Sequence, residues 1–187
     1  MRSAVSPILP SDDTHALLQS VVDVARAIFA AAASSVFLLD DTAGELVFQA
    51  VSGEGEDLLV GTRFPAHRGI AGWVASSGQA MIADDLTKTR TFARDLAEST
   101  GYVPNALMAA PLLSQQRVLG VLEVLDPSPR PRAGLEDLDL LSLFAGQAAI
   151  ALRVAGRSAP GAGTTAGGAT DEQLTDAFRA FLRDRSR

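Results

Sequence analysis

The chain contains no cysteine, only two histidines and a single lysine. The absence of cysteine excludes disulfides, thiolate zinc sites and cysteine nucleophiles, and it removes the usual covalent attachment point of a bilin or haem. Neither histidine has a second one at metal-ligand spacing, and no HExxH, P-loop or GxSxG motif is present. These absences argue against catalysis, with His67 left as the one candidate haem ligand.

Positive charge is also scarce, because 22 acidic residues oppose 16 basic ones and give a formal net charge of -6. No basic stripe is present that would neutralise a phosphate backbone. No stretch approaches the roughly 20 apolar residues of a membrane helix, and the N-terminus lacks the apolar core of a signal peptide. We therefore expect a cytoplasmic protein that binds neither nucleic acid nor a membrane. Abundant arginine and alanine indicate a GC-rich bacterial genome.

The hydrophobic content of 47% is enough for a substantial core. Apolar residues at helical spacing predict a first helix over residues 14–33, with Asp12 or Asp13 as its cap. They also predict a long helix over residues 134–156. Both helices are apolar over more than one face, so each needs burial on two sides, and a second subunit is one candidate for the additional contact.

Between these two helices the pattern changes to short β-branched and aromatic runs. The turn over residues 40–44 makes the first two runs a hairpin, and aspartates in such a turn usually bond their own backbone. Gly69 opens a short helix that Gly78 ends in the left-handed conformation, and Gly101 ends another. The five predicted strands are SSVFLLDD, GELVFQAVS, QAMIADD, NALMAAPLL and RVLGVLEVLD.

The composition divides the chain into a leader over residues 1–13, a domain over 14–155, a flexible glycine-rich linker over 156–169 and an amphipathic helix over 170–187. Such a short helix needs a partner for its apolar face. It docks either on its own domain, on a sister subunit or on a signalling protein. The residues of this face are Leu174, Phe178, Phe181 and Leu182.

Three segments in this order resemble the GAF domain: RGIAGWVASSGQAMIADDL, GYVPNALMAAPLLSQQRVLGVLEVLD and DLDLLSLFAGQAAIAL. The resemblance implies an α+β fold with a central antiparallel sheet of five or six strands. The terminal helices are expected on one face of this sheet, and helices and loops that form a pocket on the other. Families of this kind commonly form homodimers through the first and last helices, and they bind cyclic nucleotides, tetrapyrroles, haem, amino acids or no known ligand.

The resemblance is specific for the fold and leaves the ligand and any cofactor unknown. GAF enzymes that reduce free methionine sulfoxide use cysteines, which this chain lacks. The Asn-Lys-Phe-Asp-Glu motif of cyclic-nucleotide-binding members is absent too. We therefore predict a stand-alone, non-enzymatic regulatory module that binds a small molecule and relays its state through the terminal helices. The alternative is a dimeric interaction scaffold whose pocket is filled by its own side chains.

The resemblance also indicates which residues surround the pocket. Trp73 is expected to pack into the core behind it, and the basic residues Arg63, His67 and Arg68 form either an anion site or a solvated surface. Glu123, within an apolar strand, is expected to have a structural partner. The candidate pocket residues are Arg68, Ile70, Trp73, Asp84, Asp85, Phe92, Tyr102 and Met108, of which the two aspartates bind either a ligand or the following turn.

Overall fold

The computed structural model describes residues 12–54, 59–128 and 136–158. The predicted linker and C-terminal helix, with Leu174, Phe178, Phe181 and Leu182, therefore lie almost entirely outside the described residues. The elements in chain order are α1 (Asp12–Phe29), β1 (Ala33–Asp40), β2 (Glu45–Gly53), β3 (Arg63–Pro65), α2 (Gly69–Ser77), β4 (Met81–Ala83), α3 (Arg94–Ser99), β5 (Leu107–Ser114), β6 (Arg117–Leu125) and α4 (Asp137–Ser158).

The strands form one sheet in the order β3-β2-β1-β6-β5-β4, and all neighbouring strands are antiparallel. The predicted α+β architecture is thereby confirmed. The sequence indicated five strands, and the sixth is β3, whose three residues are too few to show an alternating pattern. Strands β1 and β6 lie at the centre of the sheet, and the two three-residue strands lie at its edges.

Helices α1 and α4 pack side by side on one face of the sheet. Leu18 and Val22 of α1 and Leu141 and Ala145 of α4 are completely buried there. Val24 of α1 lies outside this contact, and its side chain is 41% exposed. The two long helices thus bury one face of the sheet and keep an apolar outer surface.

The opposite face carries a second core, which α2 covers. Because side chains alternate along a strand, Val36 faces the helix pair while Phe37 faces this second core. The ring centroid of Phe37 lies 4.4 Å from that of Phe48 and 5.3 Å from that of Phe64. The predicted left-handed end of α2 is confirmed, since Gly78 has φ 67° and donates its N–H to the Val74 carbonyl.

The expectation that no stretch approaches a membrane helix is corrected within the described part of the chain, where residues Asp137–Ala155 of α4 are long and apolar enough by length and composition. The core helix of a water-soluble domain passes the same test. In this structure Leu141, Ala148 and Ala149 of that stretch are buried in the core beneath the helix pair.

The centre of the sheet depends on Gly120, and we expect Gly120→Ala to lower the free energy of unfolding by about 3 kcal/mol or more. A Cβ atom at this position would lie 2.0 Å from the carbonyl oxygen of Phe37, and backbone in a paired strand cannot move aside cheaply. Urea denaturation measures the loss. The same change at Gly146 of α4 meets no atom within 4 Å and is expected to be neutral or to stabilise by up to about 1 kcal/mol. Equal effects at the two positions would contradict the close approach.

Candidate functional site

A cavity of about 90 Å³ lies between the second face of the sheet, α2 and α3. A cavity needs roughly 10–15 Å³ on this measure to hold one water molecule, so this one has room for several. Most of its lining is apolar. The aromatic and aliphatic residues that line it are Phe37, Phe48, Leu59, Phe64, Ile70, Phe92, Leu96, Leu107 and Leu125.

Two polar side chains, Ser35 and Glu123, lie next to each other on the sheet side of this cavity. They are directly opposite in the register of β1 and β6, so both point to the same face. On its other side Glu123 is paired with Ala109 of β5. Serine and alanine are small, and the space above the sheet around the Glu123 carboxylate is therefore left open.

The Glu123 carboxylate has no hydrogen bond or ion pair to any residue in the described ranges, which corrects the expectation of a structural partner. The side chain is partly buried, and it lines the cavity. Desolvation by burial raises the pKa of Glu123 from 4.5 to about 7. A central strand thus holds a carboxylate that the fold itself does not satisfy.

The segment around α3 covers the cavity and is attached to the rest of the domain by polar contacts. An Arg68 guanidinium nitrogen, at the start of α2, donates to both carboxylate oxygens of Asp95, at 2.7 and 2.8 Å. The Tyr102 hydroxyl donates to Asp126 at the end of β6. Asp126 also accepts the backbone N–H groups of residues 105 and 106. No residue of α3 is fully buried.

The environment of Tyr102 differs from that of a solvated tyrosine. Desolvation by burial, together with the hydrogen bond to Asp126, raises the pKa of Tyr102 to about 12. The hydroxyl therefore stays protonated at neutral pH and remains a donor to the carboxylate. Glu54 also lines the cavity and raises this pKa further by its negative charge.

Of the eight predicted pocket residues, the structure places four in the cavity wall: Arg68, Ile70, Phe92 and Tyr102. Whether they bind a ligand stays a prediction. The other four do not line the cavity. Trp73 is 36% exposed on the outer side of α2, and Met108 is buried beneath the helix pair on the opposite face of the sheet.

Both aspartates lie in the loop after β4, away from the cavity lining. Asp85 accepts the backbone N–H of Thr87 at 3.0 Å, which is the turn alternative, and forms an ion pair with Lys88 at 2.7 Å. Hydrogen bonds from Lys88 and Thr87 lower the pKa of Asp85 to about 2. Asp84 is exposed to solvent.

The basic residues before α2 do not form a free anion site. Arg63 pairs with Asp40 at 3.0 Å and with Glu45 at 3.2 Å, and Arg68 pairs with Asp95. The side chain of His67 is exposed. Among the described residues no group of three or more histidine, aspartate or glutamate side chains is placed to hold a metal ion.

The sequence did not single out Phe37, Phe48, Phe64 and Ser35 as cavity residues. The three phenylalanines are ordinary core residues by pattern, and only their strand pairing brings them together. Ser35 had a usable signal, because a serine in the register position beside Glu123 makes a polar pair on an otherwise apolar face. That pairing is visible only once the register of β1 and β6 is known.

A family model described as GAF domain matches residues 13–152, and the chain therefore belongs to the GAF domain family. This is a family of regulatory and sensory modules of signalling proteins. Such modules are in general regulatory rather than catalytic.

Among curated proteins, the chain is similar to cone cGMP-specific 3',5'-cyclic phosphodiesterase subunit alpha' of Mus musculus, with 32% identity over 91 residues, which is 49% of this chain and 11% of that protein. It is also 27% identical over 120 residues to the probable 3',5'-cyclic phosphodiesterase pde-5 of Caenorhabditis elegans, covering 59% of this chain and 16% of that protein. The chain thus spans a small part of each relative.

Solved structures show the same fold. The GAF domain of a phosphoenolpyruvate-protein phosphotransferase from Coxiella burnetii has a TM-score of 0.69 at 21% identity, covering 79% of this chain and 86% of that one. The second GAF domain of DevS from Mycobacterium smegmatis has a TM-score of 0.61 at 22% identity, covering 78% and 96%. At these identities the likeness concerns the fold alone.

The raised pKa of Glu123 leads to a prediction about stability. Between about pH 4.5 and 7 the unfolded chain releases the Glu123 proton while the folded protein keeps it, so the free energy of unfolding falls as the pH rises through this window. We expect Glu123→Gln to remove this fall and to raise stability at pH 8 by on the order of 1–3 kcal/mol.

Urea denaturation of the wild type and of Glu123→Gln measures this effect, at pH values between about 4 and 8 in steps of roughly one unit. The control is Glu136→Gln, which changes an exposed glutamate before α4 and should leave the pH profile of the wild type intact. A wild-type profile that runs parallel to that of Glu123→Gln would show that Glu123 is ionised normally in the folded state.

Proposed function

We propose that this chain is a non-enzymatic regulatory module that binds a small molecule in the cavity between the sheet, α2 and α3, and relays occupancy to α1 and α4. The unpartnered carboxylate of Glu123 inside a cavity of about 90 Å³ is the observation that carries this proposal. An apolar pocket with a few polar groups is typical of ligand sites. A cavity of this size also supports ligand binding over the alternative of a filled pocket.

The central strands provide the physical link between the two faces. On β6, Val121 and Glu123 face the cavity side, and Leu122 and Val124 between them face the helix pair. A shift of this strand on ligand binding is therefore transmitted to the contacts under α1 and α4. The switch requires that the ligand binds one arrangement of the strand more tightly than the other.

The α3 segment provides the route of entry. Its helix is short, lacks a fully buried residue and is joined to α2 by the exposed Arg68–Asp95 pair. Exposed ion pairs contribute little to stability, so this segment can open without disrupting the core. Opening exposes the cavity between α2 and the sheet.

Filling the cavity tests the ligand proposal. We expect a metabolite that saturates the wild type to raise its melting temperature by about 5 °C or more, and Ala97→Phe to abolish that shift. Ala97 lines the cavity from α3, so a phenyl ring there occupies ligand space. The control is Ser99→Phe, which places the same ring on the exposed side of α3 and should keep the shift.

Native mass spectrometry of protein purified from its own host provides an independent measurement. A retained small molecule that is present in the wild type and absent from Ala97→Phe supports the proposal. A wild type that carries no bound molecule and responds to no member of a metabolite library contradicts it.

We propose further that the chain forms a homodimer through α1 and α4. Leu143, Ile150 and Val154 lie on one stripe of α4 at helical spacing and are 58%, 47% and 56% exposed. Val24 of α1 is exposed as well. Apolar stripes of this kind on adjacent helices are typical of a subunit interface.

The double substitution Leu143→Arg with Ile150→Arg is expected to shift the protein from dimer to monomer. In the dimer each subunit would have to desolvate two arginine side chains in the interface, and this cost opposes association. Sedimentation equilibrium measures the mass in solution. Val60→Arg is the control, since Val60 is 47% exposed in the loop before β3 and away from both helices. A wild type that sediments as a monomer, or a double variant that remains dimeric, would contradict the proposed interface.

A further inference from the structure

We propose that the cavity selects a small organic cation, an ammonium or amidinium compound with an aromatic or aliphatic body, whose charged N–H groups bind Glu123 and Ser35. This inference rests on the proposed function and adds the chemical class of the ligand. It follows from the balance of charge in the cavity wall, the register of the central strands and the arrangement of three phenylalanine rings.

The charged groups around the cavity are mostly negative. Glu54 at the end of β2 and Glu123 on β6 line it, and Arg68 is the one basic residue in the described lining. Both oxygens of Asp95 hold the guanidinium of Arg68. The Tyr102 hydroxyl already donates a hydrogen bond to Asp126. The wall therefore offers carboxylates whose positive partners are missing from the described residues, and a cationic ligand would supply one.

The position of Glu123 suits direct contact with a ligand. Burying a carboxylate without a partner is costly, and a protein usually offsets that cost with a hydrogen bond or a counter-charge. Here the residues paired with Glu123 on the two neighbouring strands are Ser35 of β1 and Ala109 of β5. Both side chains are too small to cover the carboxylate. No Ser35 Oγ hydrogen bond forms within the described ranges either, so the hydroxyl remains available beside it.

The apolar side of the cavity fits the other part of such a ligand. Phe37, Phe48 and Phe64 lie with ring centroids 4.4 to 5.8 Å apart, and all three line the cavity. The faces of aromatic rings carry negative partial charge and attract cations. An aromatic or aliphatic body packs against these rings while the charged nitrogen reaches the polar pair on the sheet.

An anionic ligand fits this wall poorly. Two carboxylates repel it, and the arginine that would attract it is already paired. The cyclic nucleotide in the names of the phosphodiesterase relatives is an anion of this kind. Its phosphate would meet Glu123 and Glu54 without a free cation among the described lining residues.

Matched fragments that differ mainly in charge test this inference. Benzylamine, benzyl alcohol and benzoate are each titrated at millimolar concentration against the 187-residue chain, and binding is followed by two-dimensional NMR. We expect benzylamine to bind best and its Kd to rise at least ten-fold in Glu123→Gln. Glu123→Asp keeps the charge and should keep the preference for benzylamine. Glu136→Gln should bind like the wild type.

The pH dependence adds a second readout. Benzylamine stays protonated from pH 6 to 8, whereas Glu123, with a pKa of about 7, ionises in this range. Its affinity in the wild type should therefore increase as the pH rises. In Glu123→Gln this increase should be lost. The other charged or titratable groups that line the cavity are Glu54, Arg68 and Tyr102. The pKa of Tyr102, raised to about 12, keeps its hydroxyl protonated throughout this range.

The outcomes separate this inference from the proposed function. If benzyl alcohol or benzoate binds as tightly as benzylamine, or if Glu123→Gln leaves the affinity for benzylamine unchanged, the cavity is a ligand site but not one for cations. If none of the three fragments binds, the inference of a cationic ligand is overturned, while the metabolite screen and native mass spectrometry decide the proposed function separately.

Discussion

The architecture depends on a mismatch between a sheet with two apolar faces and the helices available to cover them. Helices α1 and α4, of 18 and 22 residues, cover one face. The other face is covered by α2 and α3, of 9 and 6 residues, and by the loops between them. Elements this short cannot exclude water from the whole surface. The cavity is the part of the second face that they leave uncovered, and its wall is therefore shared by strands, by α2 and α3, and by loops.

This asymmetry gives the two faces different tolerance for polar groups. A carboxylate at Leu122 or Val124 would be sealed beneath the helix pair, where nothing could pair with it or hydrate it. At Glu123 the same group reaches a space that can admit water or a ligand. It still lowers the stability of the empty protein, as its raised pKa indicates. A group that destabilises the unliganded fold is typical of a position kept for binding, because the bound ligand recovers what the fold loses.

Much of the fold could be predicted from the sequence, because long periodic helices and glycine-terminated turns are local signals. The site could be predicted only in part. NALMAAPLL is apolar at almost every position, so its pattern does not say which residues face the cavity, and Met108 was assigned to the wrong face. The resemblance implied that Trp73 packs into the core behind the pocket, yet α2 packs on the sheet through Ile70, Ala71, Val74 and Ala75. The partner of Arg68 lies 27 positions away along the chain, and no local pattern shows such a pair.

The alternation of side chains along a strand couples the two faces of the sheet. Neighbouring residues of β1 and β6 belong to different cores, so neither core can move its strands without disturbing the other. Close packing limits how far one strand can move without its neighbours. At the centre of the sheet the backbone of Gly120 lies directly against the Phe37 carbonyl, so β1 and β6 must move together. The α3 segment, by contrast, is attached through the exposed Arg68–Asp95 pair and the part-buried Tyr102–Asp126 hydrogen bond. A ligand that only held this segment closed would change access to the cavity and nothing more. To alter the helix pair it must contact the strands, and Glu123 and Phe37 are the cavity groups through which it can do so, since a ligand moves an equilibrium only by binding one state more tightly than the other.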